Sequence, residues 1–514
     1  MKRNNFITIL VLLIAGFVVV SCNTTTQEPQ LTLANMTKDI PSEGGSVTLS
    51  FTCNGAWSVD TTGLGWLKLS QISGIAGDAT INLTALANSS GISRSVLLNV
   101  ISPNGQSRRV TALQAPVIFP SYNTSPVAPD ATGMGSTAAQ INANLKMGIN
   151  IWNTMEVPGG ETGWGNPLIT QNLIDVLKGA GFNAIRIPCG YWNQGHMNKK
   201  TGKIDDVWLN RVKEVVQYCV NDGMYVMINR HHDNAGYKDN TGNDIDDSKL
   251  SGAQLDSAKA INKAVWEQVA TTLRDFDEHV MFASYNEPSA NDLVSSTNLR
   301  DLHQIFINAV RSTGGKNAYR TLVIQAPSTS LDLANYFSTD GIPGLPVDQV
   351  PNKLILEFHW YAPVNFCILK GGDASYGKEW RYWGANFHST TDPTHNSTAD
   401  AEEGYVDRNM QWAKKNFVDK DIPLLIGEFG AENHAAPYTD KDKNGIDVYH
   451  PQLLGHPADS ILSLRSKAHF FRVIAQKARE NKISTFLWAG VIDRGTETIG
   501  DQRDLDSLRA GAGY

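Results

Sequence analysis

Apolar and polar residues alternate along Ser46-Val47-Thr48-Leu49-Ser50-Phe51, Ala79-Thr80-Ile81-Asn82-Leu83-Thr84 and Ser95-Val96-Leu97-Leu98-Asn99-Val100, with Gly- and Asn-bearing turns between the runs. Successive side chains of a strand point to opposite faces, so this period of two predicts a small immunoglobulin-like β-sandwich over 30–115. Trp57 lies within such an alternating stretch and reads as a core residue, which makes the sandwich a spacer. Residues 116–130 contain four prolines and no helical period, the mark of a semi-rigid linker.

From 131 to 514 the pattern changes. Eight short apolar runs, starting at Met147, Asn183, Met224, Val280, Thr321, Leu354, Pro423 and Ser484, are separated by stretches of helical period such as Ile169, Leu173, Val176, Leu177, Ala180 or Ile261, Val265, Val269, Leu273. Strands alternating with helices predict a parallel sheet, and eight of them predict an α/β fold of the (β/α)8 TIM barrel type. Such a barrel needs about 250 residues, so the surplus is expected in insertions at 233–260 and 362–400 that shape a cleft at the C-terminal ends of the strands.

The amino terminus adds an address. Lys2 and Arg3 precede the apolar run Phe6–Val20, too short for a comfortable membrane span, so 1–21 reads as an export signal. Val19-Val20-Ser21-Cys22 resembles the lipobox of bacterial lipoproteins, which implies lipidation of Cys22, a tether over 22–29 and an anchor at the outer membrane. Cys53, Cys189, Cys219 and Cys367 show no CxxC spacing and read as small buried hydrophobes. With 44 Lys and Arg against 51 Asp and Glu, a net charge of −7 without a basic block argues against a nucleic-acid partner.

Polar residues recur where the apolar runs of the barrel end: Arg186, His231 and His232, Asn286 and Glu287, His359 and Tyr361, Glu428, and Trp488. In a parallel barrel those ends converge on one face, so residues scattered in sequence can surround one small volume. Cleaving a glycosidic bond needs one carboxyl to protonate the leaving oxygen and a second to attack or activate water. Glu287 and Glu428, each ending an apolar run, are the candidates. Arg186 beside Glu428 would favour its ionised form, whereas a less compensated Glu287 would hold its proton near neutral pH.

The motifs IRIP, INRHHD, YNEP, FHWY, IGEFGA and FLWAG, in that order, resemble glycoside hydrolase family 5, a retaining family. The resemblance implies that Glu287 is the acid/base, Glu428 the nucleophile and Asn286 the ligand of the 2-hydroxyl. It further implies that Arg186 and Tyr361 hold the nucleophile, that His231 and His359 line the reacting-sugar subsite, and that Trp488 is its stacking platform. His232 and Asn153 complete the expected substrate-binding set. Trp164-Gly165-Asn166-Pro167, Trp266-Glu267-Gln268-Val269-Ala270 and Val310-Arg311-Ser312-Thr313-Gly314-Gly315 are similar to the subgroup of endoglucanases, lichenases and xyloglucanases. Trp152 stands where related enzymes often have glycine, and Ala489-Gly490 where many have Asp-Asn. The segment before the linker resembles the BACON domain through Gly44-Gly45, Ala56-Trp57-Ser58-Val59, Trp66-Leu67 and Gln114.

These features together predict a monomeric, lipid-anchored retaining endo-β-1,4-glucanase without a cofactor, acting on xyloglucan, mixed-linkage glucan or cellulose. An endo-β-mannanase and a non-catalytic glycan-binding protein are the alternatives. A metal-dependent hydrolase centred on His231-His232-Asp233 is disfavoured, because adjacent strand residues point to opposite faces and no HxH or HExxH spacing exists. Asp440–Asp447 resembles the first part of a calcium loop, but Pro451 occupies the twelfth position and cannot supply the bidentate carboxylate, so a surface turn is expected. Trp192, Trp360, Trp380, Trp383, Tyr376 and Tyr382 are candidates for further sugar platforms, with 376–383 as the expected cleft wall.

Overall fold

A computed structural model describes residues 31–514 except 34–35, 91, 371–376, 436–437, 442–446 and 451–456; of strands Tyr438–Lys441 and Asp447–His450 it describes the backbone. Cys22, Tyr376 and the turn of the calcium-like sequence therefore lie outside the described residues. The chain divides into two compact units, Met1–Pro116 and Val117–Tyr514.

In the first unit the alternating runs pair as expected of half-buried strands. Leu31–Thr32, Gly44–Cys53, Gly77–Leu86 and Leu67–Leu69 form one sheet, and Thr37–Ile40, Ser107–Gln114, Arg94–Ile101, Trp57–Asp60 and Ser73–Gly74 the other. Leu49, Phe51, Ile81, Leu83, Leu98 and Val100 fill the space between them. The outer face of the Gly44–Cys53 and Gly77–Leu86 pair is polar, with Thr52 donating to Asp78 at 2.6 Å. Phe51, Trp57 and Trp66 are the aromatic residues described in this unit. Trp57 is buried edge-on against Phe51 at 4.9 Å between centroids, and the partly buried Trp66 is capped by the Arg94 guanidinium at 4.5 Å. None of the three presents an open ring to solvent.

The second unit is a closed parallel barrel of eight strands: β1 (Gly148–Asn150), β2 (Ala184–Cys189), β3 (Tyr225–Arg230), β4 (Val280–Ala283), β5 (Leu322–Gln325), β6 (Leu354–Trp360), β7 (Leu424–Phe429) and β8 (Ser484–Leu487). All eight fall within or beside the predicted runs. Alternation divides each strand between two cores. Ala184, Met227, Met281, Val323, Ile355, Leu425 and Phe486 point into the barrel, whereas Ile185, Val226, Ile228, Phe282 and Ile324 face the surrounding helices. Helix Ala138–Asn144 plugs the N-terminal end: its Ala138 and Ile141 join the interior layer, and Asn142 donates to Leu424 O at the start of β7 at 2.9 Å. With that end sealed, the open end of the barrel lies at the strand C-termini.

Two expectations change. Of the expected semi-rigid linker at 116–130, residues 117–130 are part of the barrel unit. Phe119 packs in its core, and the buried Glu267 carboxylate accepts the Tyr122 N–H at 2.6 Å and the Ser121 hydroxyl at 3.0 Å. Val127–Pro129 then pairs in parallel with Gly314–Gly315. The approach is so close that a Cβ on Gly314 would sit 1.8 Å from Val127 O, which explains why the 310–315 motif ends in glycines. Gln268 accepts the Ile204 N–H at 2.8 Å and donates to Gly202 O at 2.9 Å, so the 266–270 motif is structural as well. The first predicted insertion is also shorter than expected: residues 231–251 form the loop after β3, but helix Gly252–Thr272 already covers the remainder.

Replacing Glu267 with Ala should release Ser121–Asn123 and orphan their donors. The expected cost is about 1.5–3 kcal/mol, read as a lower urea midpoint of the barrel unit.

Candidate active site

Arg186 on β2 is the hub of the open end. A guanidinium with no solvent exposure must be neutralised and hydrogen-bonded by its neighbours, and three strands and the segment after β4 contribute to this. Nη1 donates to Glu428 Oε1 at 2.8 Å and to Asn150 Oδ1 at 3.0 Å, Nη2 donates to Asn286 Oδ1 at 2.6 Å, and Nε lies 3.1 Å from Glu357 Oε1. The Tyr361 hydroxyl donates to the other Glu428 oxygen at 3.1 Å. Burial and the neighbouring Glu428 hold the Tyr361 pKa well above its ordinary value, so this hydroxyl remains a donor.

Glu287 approaches from the opposite wall. Its backbone has φ 46°, a left-handed conformation costly for a side-chain-bearing residue, and Gln325 at the end of β5 fixes it by accepting the Glu287 N–H at 2.7 Å. Asn153 and His232, also at strand ends, share this conformation with φ 55° and 48°. His359 joins the two carboxylates: Nδ1 is 2.8 Å from Glu287 Oε1 and 3.6 Å from Glu428 Oε2, while Nε2 is 3.2 Å from Glu357 Oε1. One oxygen each of Glu287 and Glu428 and a nitrogen of His359 all lie within 4.8 Å of one another. The Glu287 side chain is 50% exposed and that of Glu428 6%, so one carboxyl faces the opening and the other forms the floor.

Retaining glycosidases place their two carboxyl groups about 5–5.5 Å apart, inverting ones about 6.5–9.5 Å, and with one oxygen of each within 4.8 Å of the other this pair belongs with the close arrangement. A family profile described as Cellulase (glycosyl hydrolase family 5) matches residues 148–489. The chain belongs to glycosyl hydrolase family 5.

A profile described as Viral BACON domain matches residues 21–116 of this family 5 protein. A xyloglucan-specific endo-beta-1,4-glucanase of Bacteroides ovatus, BoGH5A, is 28% identical over 491 residues, covering 92% of this chain and 88% of that enzyme. Endoglucanase A of Paenibacillus barcinonensis is 32% identical over 350 residues, 65% of this chain and 82% of that one. Among solved structures, a Bacteroides ovatus GH5 xyloglucanase in complex with a XXXG heptasaccharide superposes with a TM-score of 0.63 and 25% identity, over 94% of this chain and all of that one. The protein is a glycoside hydrolase, and family 5 is a retaining family.

The remaining candidates occupy the same end. His231 is buried and stacks on Trp488 at 5.7 Å with an 11° interplanar angle, its Nδ1 3.1 Å from the Asn229 amide nitrogen. Burial, then the charges of His232, Arg186 and His359, push its pKa well down and keep the ring neutral. His232 is exposed and meets His231 edge-on at 4.4 Å. Asp233 turns away to pair with Arg230 at 2.9 Å, so His231, His232 and Asp233 do not converge on one point. Asn153 is partly buried, its carbonyl accepting from the Asn166 amide at 2.7 Å.

Three residues of the hub escaped the sequence reading: Asn150, Gln325 and above all Glu357. The signal for Glu357 was present, since a carboxylate inside an apolar strand two positions before His359 must share its face. Its space is made by Gly427. The β6–β7 register shifts from Phe358↔Ile426 to His359↔Glu428, a bulge at Gly427 where a Cβ would lie 1.8 Å from Glu357 Oε1. Glycine next to Glu428 is therefore a packing requirement.

Two expectations are corrected. Glu287 does not hold its proton in the free site. Burial opposes its charge, but the hydrogen bond and charge of His359, then Arg186 and His232, outweigh it and lower its pKa. Of the expected aromatic wall at 376–383, Tyr382 and Trp383 are wholly buried, because a long loop needs its own packing, and Trp360 is buried as well. Trp192 is also buried, while Trp380 is partly exposed.

Burial opposes the charge of His359, yet Glu428, Glu287 and Glu357 raise its pKa to about 9. An imidazolium raised above its ordinary value of about 6.5 contributes stability that is full below that pH and lost as pH climbs through about 9. Glu357→Gln should move that loss to lower pH and cost about 3–5 kcal/mol by leaving Arg186 undercompensated, seen in thermal midpoints between pH 6 and 10.

Proposed function

We propose that this enzyme is a retaining endo-β-1,4-glucanase that cuts within the backbone of a soluble β-glucan, xyloglucan first. The observation that carries the reading is the pair of carboxyl groups with oxygens within 4.8 Å, one fixed on the floor and one at the opening. The name of the relative matched along most of the chain favours xyloglucan over mixed-linkage glucan, cellulose or mannan.

The geometry supports the following steps. The Glu428 oxygen, oriented by Arg186 and Tyr361, attacks the anomeric carbon as the bond to the leaving oxygen breaks. Glu287 delivers a proton to that oxygen. In the free site that proton rests on His359, whose Nδ1 lies 2.8 Å from Glu287 Oε1. A sugar that displaces water disfavours the separated charges and moves the proton to the carboxyl. In the second step water attacks the same carbon, its proton returns to Glu287, and the ester to Glu428 opens. Asn286, whose oxygen is engaged by Arg186, offers its amide N–H groups to the 2-hydroxyl. No cofactor enters these steps.

Lipidation of Cys22 holds the monomeric enzyme at the outer membrane, and the BACON unit, with no open aromatic ring, acts as a spacer. The charged start, apolar run and Ser21-Cys22 boundary of the sequence support the anchor. Cys22→Ala should move the protein from the membrane to the soluble fraction of cells.

Reducing ends released from xyloglucan, lichenan, carboxymethylcellulose and mannan should be most abundant with xyloglucan. Glu428→Gln should lose at least about 10³-fold in kcat on all of them. Glu287→Ala should still accumulate a covalent glycosyl-enzyme, detectable by mass, from a dinitrophenyl glycoside whose leaving group needs no acid. Equal turnover by either variant and the parent would reject the assignment.

A further inference from the structure

The ladder between β4 and β5 stops just before the turn that carries Glu287. Phe282 and Ala283 pair with Leu322 and Val323, and the Ser284 N–H still reaches Val323 O at 3.1 Å. In this parallel register the next donor, the Asn286 N–H, would fall on Gln325 O. That carbonyl is met instead by a side chain, with His303 Nε2 3.0 Å away. His303 lies midway along helix Leu293–Ser312, and its other ring nitrogen, Nδ1, is 2.7 Å from the Ser284 hydroxyl oxygen. His303, Ser284 and Gln325 have no solvent exposure.

These contacts fix where the ring carries its proton. A backbone carbonyl can only accept, so Nε2 bears the hydrogen. Burial pushes the His303 pKa down to about 4, the ring is neutral, and Nδ1 therefore accepts from the Ser284 hydroxyl. Tyr285 and Phe337 pack edge-on against the ring, at 6.3 and 5.8 Å between centroids. A neutral imidazole with its one donor and one acceptor committed in this way ties the end of β4 to the end of β5.

Both ends of that tie lead to Glu287. Ser284 stands three residues before it in the chain, and the Gln325 side chain accepts its N–H at 2.7 Å. Glu287 holds φ 46°, a conformation that persists only where the surroundings over-determine it. We infer that His303 is a positioning residue for Glu287: acting through Gln325 and Ser284, it holds the turn in the place where the Glu287 carboxyl meets the leaving oxygen. This inference deepens the retaining endo-glucanase reading and rests on it for the role of Glu287 as acid/base. Proton transfer is sensitive to such placement, since a shift of about 1 Å can cost on the order of 10²-fold in rate.

Two aryl β-cellotriosides that differ only in the leaving group isolate the effect. Dinitrophenolate departs without a proton, whereas phenolate needs the acid. His303→Ala should lower kcat/KM on the order of 10-fold or more on phenyl β-cellotrioside and by less than about 2-fold on dinitrophenyl β-cellotrioside. His303→Gln, whose amide N–H can replace Nε2–H at the Gln325 carbonyl, should recover most of the loss. Should His303→Ala not fold, Ser284→Ala, which removes only the hydroxyl, should show the same selectivity at smaller size. Glu287→Ala is the reference and should discriminate between the two leaving groups most strongly. If Glu287→Ala is selective while the His303 and Ser284 variants lose equally on both substrates, or nothing on either, the inference is overturned and the acid/base assignment stands. If Glu287→Ala is not selective, the acid/base assignment falls and the inference with it.

Discussion

A single buried guanidinium organises the working end of this enzyme. Arg186 cannot remain charged without solvent unless carboxylates and amide oxygens surround it, and the residues that do so come from β1, β6, and the ends of β4 and β7. Its demand for compensation thus draws together groups that the linear chain keeps far apart. Glu428 is oriented as a result, and Asn286 is turned so that its oxygen faces inward. His359 extends the network to Glu287, which makes the two carboxylates, Glu287 and Glu428, and their two cations one electrostatic unit. A change to any member is felt by the others.

Much of this was legible in the sequence, for a physical reason. Barrel strands buried on both faces read as short apolar runs, and in a parallel barrel their ends define the site, so Arg186, Glu287, His359, Tyr361, Glu428 and Trp488 announced themselves by position. Glu357 did not, because a carboxylate within a strand passes for one more polar interruption until its partners are known, and those partners sit on β2 and at the bulge of β7. The charge state of Glu287 was misread for a related reason: its environment is set by His359, and sequence reveals proximity to neither His359 nor Arg186 in three dimensions.

Aromatic residues show the other limit. Counting tryptophans and tyrosines in a long loop does not distinguish the wall of a cleft from the core of the loop itself, and Tyr382 and Trp383 belong to the core. Trp57 of the BACON unit, by contrast, was correctly placed, because strand alternation reports which face a side chain occupies and loop composition does not.

The stretch Val117–Pro129 looks by composition like a hinge, yet it is stitched into the barrel by Phe119, by the Glu267 carboxylate and by its pairing along Gly314–Gly315. Anyone excising the hydrolase for crystallisation or for grafting onto another scaffold should therefore cut at Pro116. A fragment beginning at residue 131, where the prolines end, would lose a belt that wraps the catalytic body and leave its seat exposed as a sticky surface.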